Sequence, residues 1–190
     1  MLKGDRCNTA KCAMVKRNYA PGFHGPKNKR RLTEYGQQLN EKQKAKRQYN
    51  MLEKQFRLTF DKAKKQAGNA VDNFLALLEM RLDNVIYRLG FAASRAQSRQ
   101  MVSHGLFTVN GHCVDIPSYT VKSGDTIKIK ANKANAKIFK NINETFKKKE
   151  VPGWLNLDQK EITGKVLHKP EAKLINPSFN VQMIVEYYSK

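Results

Sequence analysis

The sequence predicts an α+β fold, a helical region followed by a small antiparallel sheet. Three observations carry this. Apolar residues recur at helical spacing in stretches between residues 33 and 105. Asn110-Gly111 stands between two short β-type runs, the signature of a tight hairpin. Beyond it, residues 126–130 alternate, with Ile127 and Ile129 on one face and Lys128 and Lys130 on the other.

Residues 1–32 are poor in core residues and punctuated by Asn18, Pro21, Gly22, Gly25, Pro26 and Asn28, so they read as irregular. Thr33, followed by Glu34 and Gln37, starts a helix that runs into Glu41–Arg47. Leu52, Phe56, Phe60 and Ala63 stripe a second helix, ended by Gly68. Residues 72–89 give the clearest helix, with Phe74, Leu78, Leu82, Val85 and Leu89 on one face and Gly90 where a left-handed cap is wanted. Ser94 opens another, with Gln97 at the capping-box spacing, and it runs through Met101 and Val102 to Gly105.

Leu106–Val109 and His112–Asp115 form the expected hairpin, with Cys113 packed inside it. Residues 134–148 read as a helix striped by Ile138, Phe139, Ile142 and Phe146, and broken at Pro152-Gly153. Trp154–Leu157 and Lys165–Leu167 suit short strands, and Gln182–Tyr188 is β-prone.

Charge bounds the function. The 190 residues carry 36 Lys or Arg against 16 Asp or Glu, a formal net charge of +20. Such a field condenses polyanions. No apolar run approaches the 18 or so residues of a membrane span, and no long basic amphipathic helix with a clean apolar face stands apart. The first twenty residues hold Lys3, Asp5, Arg6, Lys11, Lys16 and Arg17 and no hydrophobic block, so a secretory signal is not expected. Three cysteines, an odd number, fit a reducing compartment better than a disulfide framework.

Nucleic acid is therefore the expected partner, with no membrane and no small-molecule substrate. Arg95 and Arg99 are four apart and share a helix face. Ser94 at the helix start, His104 at its end and Arg88 in the helix before extend this into a phosphate-facing ridge. The ordinary alternative is a solvated charged face. Lys27, Lys29, Arg30 and Arg31 form a basic run whose neighbours Tyr19, Phe23 and Tyr35 could stack on bases. Lys42, Lys44 and Arg47 continue the basic surface along a helix, and Arg81 and Asn110 complete the candidate RNA-binding set. Asp83, between Arg81 and Arg88, reads as an ion-pair partner rather than a general base.

Cys7 and Cys12 have the C-x4-C spacing of one half of a zinc site. His24 is near in sequence, but one histidine does not complete four ligands. No G-x-G-x-x-G, P-loop or G-x-S-x-G is present, and the four histidines are scattered, so no catalytic site is expected.

Leu78-Glu79-Met80-Arg81-Leu82-Asp83-Asn84-Val85, Gly90-Phe91-Ala92-Ala93-Ser94-Arg95, Val109-Asn110-Gly111 and Gly124-Asp125 together resemble an S-four RNA-binding domain. Leu2–Cys7, Lys11-Cys12-Ala13, Pro21–Gly25, Glu41–Lys44, Gln55-Phe56-Arg57 and the ending Ile184–Lys190 extend the resemblance nearly end to end. The family they resemble is the bacterial-type small ribosomal subunit protein S-four. The resemblance implies a basic N-terminal segment over 1–45 and a helical domain over 46–79 completed by 176–190. It implies an inserted S-four module over 80–142, then an extension over 143–175.

It also implies binding to the 5′ domain of small-subunit ribosomal RNA early in assembly, contact with small-subunit protein S-five, and a role in decoding accuracy. Lys27, Lys29, Arg30 and Arg31 would lie near the path by which messenger RNA enters. The setting would be a cytoplasmic or an organellar ribosome. Two departures stand out. Zinc-binding members carry two further cysteines upstream of the positions of Cys7 and Cys12. Phe23 stands where the motif usually carries Gln. The competing readings are a free-standing S-four-domain RNA chaperone and an RNA-modifying enzyme with an accessory S-four module. The second would need a catalytic domain of roughly 150 residues.

Overall fold

The computed structural model describes residues 2, 4–27, 31–133, 136–139, 142, 146, 150–159 and 161–189. The fold is α+β, as the pattern predicts. Helices α1 (Ala13–Lys16), α2 (Glu34–Gln48), α3 (Glu53–Lys65), α4 (Ala70–Glu79), α5 (Leu82–Arg88) and α6 (Arg95–Ser103) precede the sheet. Strands β1 (Phe107–Val109), β2 (His112–Cys113), β3 (Thr126–Ile129), β4 (Leu155–Asp158) and β5 (Thr163–Val166) follow, and α7 (Val181–Ser189) ends the described chain. Among the described residues before α2, regular structure is limited to α1 and a 3-10 turn at Gly4–Asn8.

Local chemistry sets the helix ends. The Thr33 hydroxyl accepts from Gly36 N at 3.2 Å and starts α2. Asn69 accepts from Val71 N at 3.0 Å and starts α4. Ser94 accepts from Gln97 N, and Gln97 Oε1 accepts from Ala93 N, so a capping box opens α6. Gly90, at φ +90°, closes α5: its N–H reaches Tyr87 O, and Phe91 N reaches Ile86 O. That pair of bonds is a Schellman cap.

The expected single helix over 72–89 is two. Arg81 is extended (φ −71°, ψ 138°) and bridges Thr120. Val121 N donates to Met80 O, and Leu82 N and Asp83 N donate to Tyr119 O and Pro117 O. The returning loop takes the backbone groups that a continuous helix would have used. Apolar spacing runs through the break, so periodicity alone could not show it.

The hairpin turns at Asn110 (φ 51°) and Gly111 (φ 85°), the left-handed pair that a type I′ turn requires. Its second strand is only His112–Cys113, shorter than expected, although Val114 N still reaches Phe107 O of β1 at 3.4 Å. Cys113 is exposed rather than packed, its Sγ 3.8 Å from Gly105 O. The sheet order is β2-β1-β3-β5-β4, every pair antiparallel. The two late strands thus extend the sheet of the hairpin. Gly164 fits where a Cβ would lie 2.4 Å from Leu89 Cδ1, which brings β5 close onto α5.

Much of the helix expected over 134–148 lies outside the described residues. Of its stripe, Phe139, Ile142 and Phe146 are buried, whereas Ile138 is exposed. Gln182–Tyr188 is helical, not strand. Asn180 Oδ1 accepts from Met183 N, and Val181, Ile184, Val185 and Tyr188 fall on one side against α2, α3 and α4. Burial of that stripe overrides the β-propensity of its Val, Ile and Tyr.

Two cores result. One holds Phe56, Phe60, Phe74 and Leu78 with Phe179 and Ile184 from the chain's end. Phe56 meets Phe74 edge-on at 5.2 Å, and Phe60 stacks on Tyr188 at 4.9 Å. The other joins α5 and α6 to one face of the sheet through Val85, Ile86, Leu89, Val102, Phe107, Ile127, Trp154 and Val166. Each fully buried side chain of this size stabilises its core by about 1.5–3 kcal/mol. The α4–α5 break lies between the two cores.

Candidate nucleic-acid interface

The cations divide into two populations, and their carboxylate partners decide which is which. Glu79, the last residue of α4, is fully buried. It accepts from Tyr49 Oη at 2.6 Å, Asn84 Nδ2 at 2.7 Å, and Arg88 Nε and Nη2 at 2.9 and 2.8 Å. Arg95 Nη2 lies 3.9 Å away. The Arg95 guanidinium sits over the rings of Tyr49 and Tyr87, at 4.9 and 4.6 Å, and its Nε donates to Asn84 Oδ1 at 2.7 Å. Tyr49 belongs to the helical core and Asn84, Arg88 and Arg95 to the α5–α6 side, so this cluster joins the two.

Burial alone would raise the Glu79 carboxyl. The hydrogen bonds and charge of Arg88 outweigh burial and hold it below the ordinary range. Burial, reinforced by the Glu79 charge, pushes the Tyr49 hydroxyl well up.

Asp83 anchors a second cluster. Arg81 grips it with Nε and Nη2 at 3.1 and 2.7 Å. Arg99 Nη1 reaches Asp83 Oδ2 at 3.4 Å and Asn50 O at 3.2 Å. Asp83 is thus an ion-pair partner, but with Arg81 and Arg99, while Arg88 goes to Glu79. Lys42 is buried in a third arrangement. Its Nζ donates to Glu53 at 2.7 Å and lies 4.8 and 5.8 Å from the rings of Tyr187 and Tyr188. Burial raises Glu53, but hydrogen bonds from Lys42, Tyr188 and Lys46 bring it to about 2.

Several residues of the expected RNA-facing set thus have partners within the protein. Lys42 and Arg81 are buried ion-pair members. Arg95 is largely covered, and Arg88 and Arg99 keep only an outer edge in solvent. Ser94 is engaged as a helix cap. Asn110 holds its turn, accepting from Thr126 N and donating to Asp125 Oδ1, both at 2.9 Å. The reason is common to all: a short-range carboxylate or backbone partner fixes each group internally.

Lys27, Arg31, Lys44, Arg47 and His104 are exposed. Lys29 and Arg30 lie outside the described residues. Lys44 pairs with Glu41 at the surface and stays 57% exposed. Helix α3 adds exposed Lys54, Arg57, Lys62, Lys64 and Lys65, which the sequence reading passed over. Their signal was present: Lys54, Lys62 and Lys65 fall opposite the Phe56, Phe60 and Ala63 stripe, with Arg57 and Lys64 on its flank. Between the end of α2 and the start of α6 lies a groove of about 340 Å³, lined by Lys46, Arg47, Asn50 and Arg95 among others. It is open to solvent, basic, and shaped by both halves of the fold.

A metal is not supported by these residues alone. Cys7 and Cys12 are half-buried thiols, and among the described residues no group of three His, Cys, Asp or Glu could hold an ion. Two thiolates do not complete the four-ligand set of structural zinc. No described helix is long and apolar enough to cross a membrane.

Comparison with known proteins follows the same division. Residues 1–79 match the family of the ribosomal protein S4/S9 N-terminal domain, and residues 80–127 match the S4 domain. The boundary falls at the end of α4, beside Glu79. A relative in Alkaliphilus metalliredigens (strain QYMF), small ribosomal subunit protein uS4A, is 54% identical over 189 residues, covering 100% of this chain and 90% of the relative. The uS4 proteins of Caldicellulosiruptor bescii and Clostridioides difficile (strain 630) are 51% and 49% identical over the same shares. These relatives are structural ribosomal proteins, not enzymes. The chain belongs to the small ribosomal subunit protein uS4 family.

Proposed function

We propose that this chain is a structural component of the small ribosomal subunit that binds ribosomal RNA through its outward cations. The observation that carries the proposal is the set of exposed Lys and Arg on α2 and α3 and in the N-terminal segment. Lys27, Arg31, Lys44 and Arg47, with the α3 lysines, neutralise phosphates and release counterions. The groove between α2 and α6 receives backbone where two RNA helices meet. Specificity comes from the folded shape of the RNA, because an A-form major groove is too narrow for side chains to read.

The target within this reading is the junction in the 5′ domain, bound early in assembly. Protein S-five and incoming messenger RNA are its neighbours on the subunit, with consequences for decoding accuracy. The setting is a ribosome in the cytoplasm. The N-terminal segment has little core of its own, so the RNA supplies packing that the chain does not.

Filter binding across a salt series tests this, using the 5′ domain of small-subunit ribosomal RNA and a scrambled RNA of equal length. The expected result is a preference for the 5′ domain that survives near-physiological salt. Equal, steeply salt-sensitive binding to both would refute it.

A further inference from the structure

Phe23 is the most exposed large apolar side chain among the described residues, at 92%. It stands at the tip of a closed turn. Gly22 has φ +102°, and Gly25 N donates to Gly22 O at 3.1 Å. Gly25 lies so close to Ala20 O that a Cβ there would overlap it. The turn therefore closes behind the ring and presents it outward. The His24 imidazole meets Phe23 in a T-shaped arrangement at 5.2 Å, and the ring stays almost wholly accessible to solvent. The other two candidate stacking residues are less available. Tyr35 is committed to Tyr187, with rings 5.6 Å apart and hydroxyls at 3.4 Å, and Tyr19 is 49% exposed.

The surroundings select the occupant. Residues 1–33 contain nine Lys or Arg against Asp5 alone. Lys16, Arg17, Lys27 and Arg31 flank this turn in sequence and are exposed. An apolar protein pocket would gain nothing from this charge. An unpaired RNA base offers a π face to the ring and a phosphate on each side to the cations.

We infer that Phe23 is a base-stacking site: the ring of Phe23 covers an unpaired base of the ribosomal RNA while the flanking cations hold its phosphates. This rests on the RNA-binding reading and adds one named contact to it. Because Phe23 touches little of the protein, its variants should melt as the wild type does.

The test uses the full chain and a 5′-domain transcript. Phe23→Ala is expected to weaken binding about 10-fold to 100-fold, the range of a lost base–aromatic stack. The dependence of affinity on salt should keep its slope, since no charge is removed. Phe23→Leu should stay weak. Phe23→Trp should retain affinity, and its emission should be quenched on adding RNA, while buried Trp154 serves as the unchanged reference. Wild-type affinity in Phe23→Ala, unquenched Phe23→Trp emission, or full rescue by Phe23→Leu would each overturn the inference. Rescue by Leu would indicate an apolar pocket instead. If the wild type does not prefer the 5′ domain to scrambled RNA, the ribosomal reading falls, and the Phe23→Trp quenching still decides the stacking.

Discussion

The arginines at the α4–α5–α6 junction and the cations on the outer faces of α2 and α3 are the same residue types with opposite work. Arg81, Arg88, Arg95 and Arg99 turn toward Glu79, Asp83 and Asn84 and hold two hydrophobic cores together. Lys44, Arg47 and the α3 lysines face solvent, Lys44 beside Glu41 at the surface. Net charge therefore overstates the charge available to a polyanion. The number that matters is the count of cations left after buried acids have taken their partners. A buried ion pair is a weak source of net stability, but removing one partner strands the other. That asymmetry makes the two populations separable by mutation.

The largest effect is expected from Glu79→Ala. It leaves Arg88, Arg95 and the Tyr49 hydroxyl without their shared acceptor, at a cost of about 3–5 kcal/mol. Denaturant unfolding measures it, and a loss under about 1 kcal/mol would show that the cluster is dispensable. Lys42→Ala comes next. It takes one of three donors from Glu53, leaving Tyr188 and Lys46, and removes the cation beside Tyr187 and Tyr188, so α7 should loosen from α2, at a cost of about 2 kcal/mol. Protection of the α7 amides in hydrogen exchange should drop first, and uniform protection would contradict this.

Gly111→Val should cost about 1–2 kcal/mol, because a β-branched residue resists φ near +85°. An unchanged melting curve would remove strain from the account of that turn. Lys44→Ala with Arg47→Ala should move stability by no more than about 0.5 kcal/mol, since both are surface positions. Yet the double variant should flatten the salt dependence of RNA binding by up to two phosphate contacts.

Acid separates the populations in another way. Glu79 and Glu53 titrate below the ordinary value of 4.5 in the folded chain, Glu53 at about 2. A carboxyl depressed on folding contributes stability that is complete above its unfolded value and lost as pH falls through its folded value. Melting temperature should therefore fall as pH drops from about 4.5 toward about 2, and Glu53→Gln should make that fall shallower. The same slope in Glu53→Gln as in the wild type would show that other groups carry the acid sensitivity.

Much of the fold was legible because periodicity and caps agree with it. Thr33, Ser94, Gly90 and Asn110-Gly111 each mark a boundary that the structure uses. Three features were not legible, for physical reasons. The break at Arg81 depends on backbone bonds from residues 117–121, far along the chain. The helix at 181–189 depends on burial against α2, which overrides local propensity. The pairing of Arg88 with Glu79, nine residues away, spans an extended joint between two helices and follows no single-helix spacing. The partners of the cations were half legible for the same reason. A sequence shows which residues are basic, whereas only the fold shows which acids have already claimed them.

The most direct test is one salt-series measurement on the wild type and the Lys44→Ala/Arg47→Ala variant. Both are bound to the 5′ domain of small-subunit ribosomal RNA. The account predicts a steep wild-type slope and a clearly shallower one for the variant, with identical melting curves. Identical slopes would contradict it, placing the RNA on some other face and leaving the outward cations of α2 as a solvated surface.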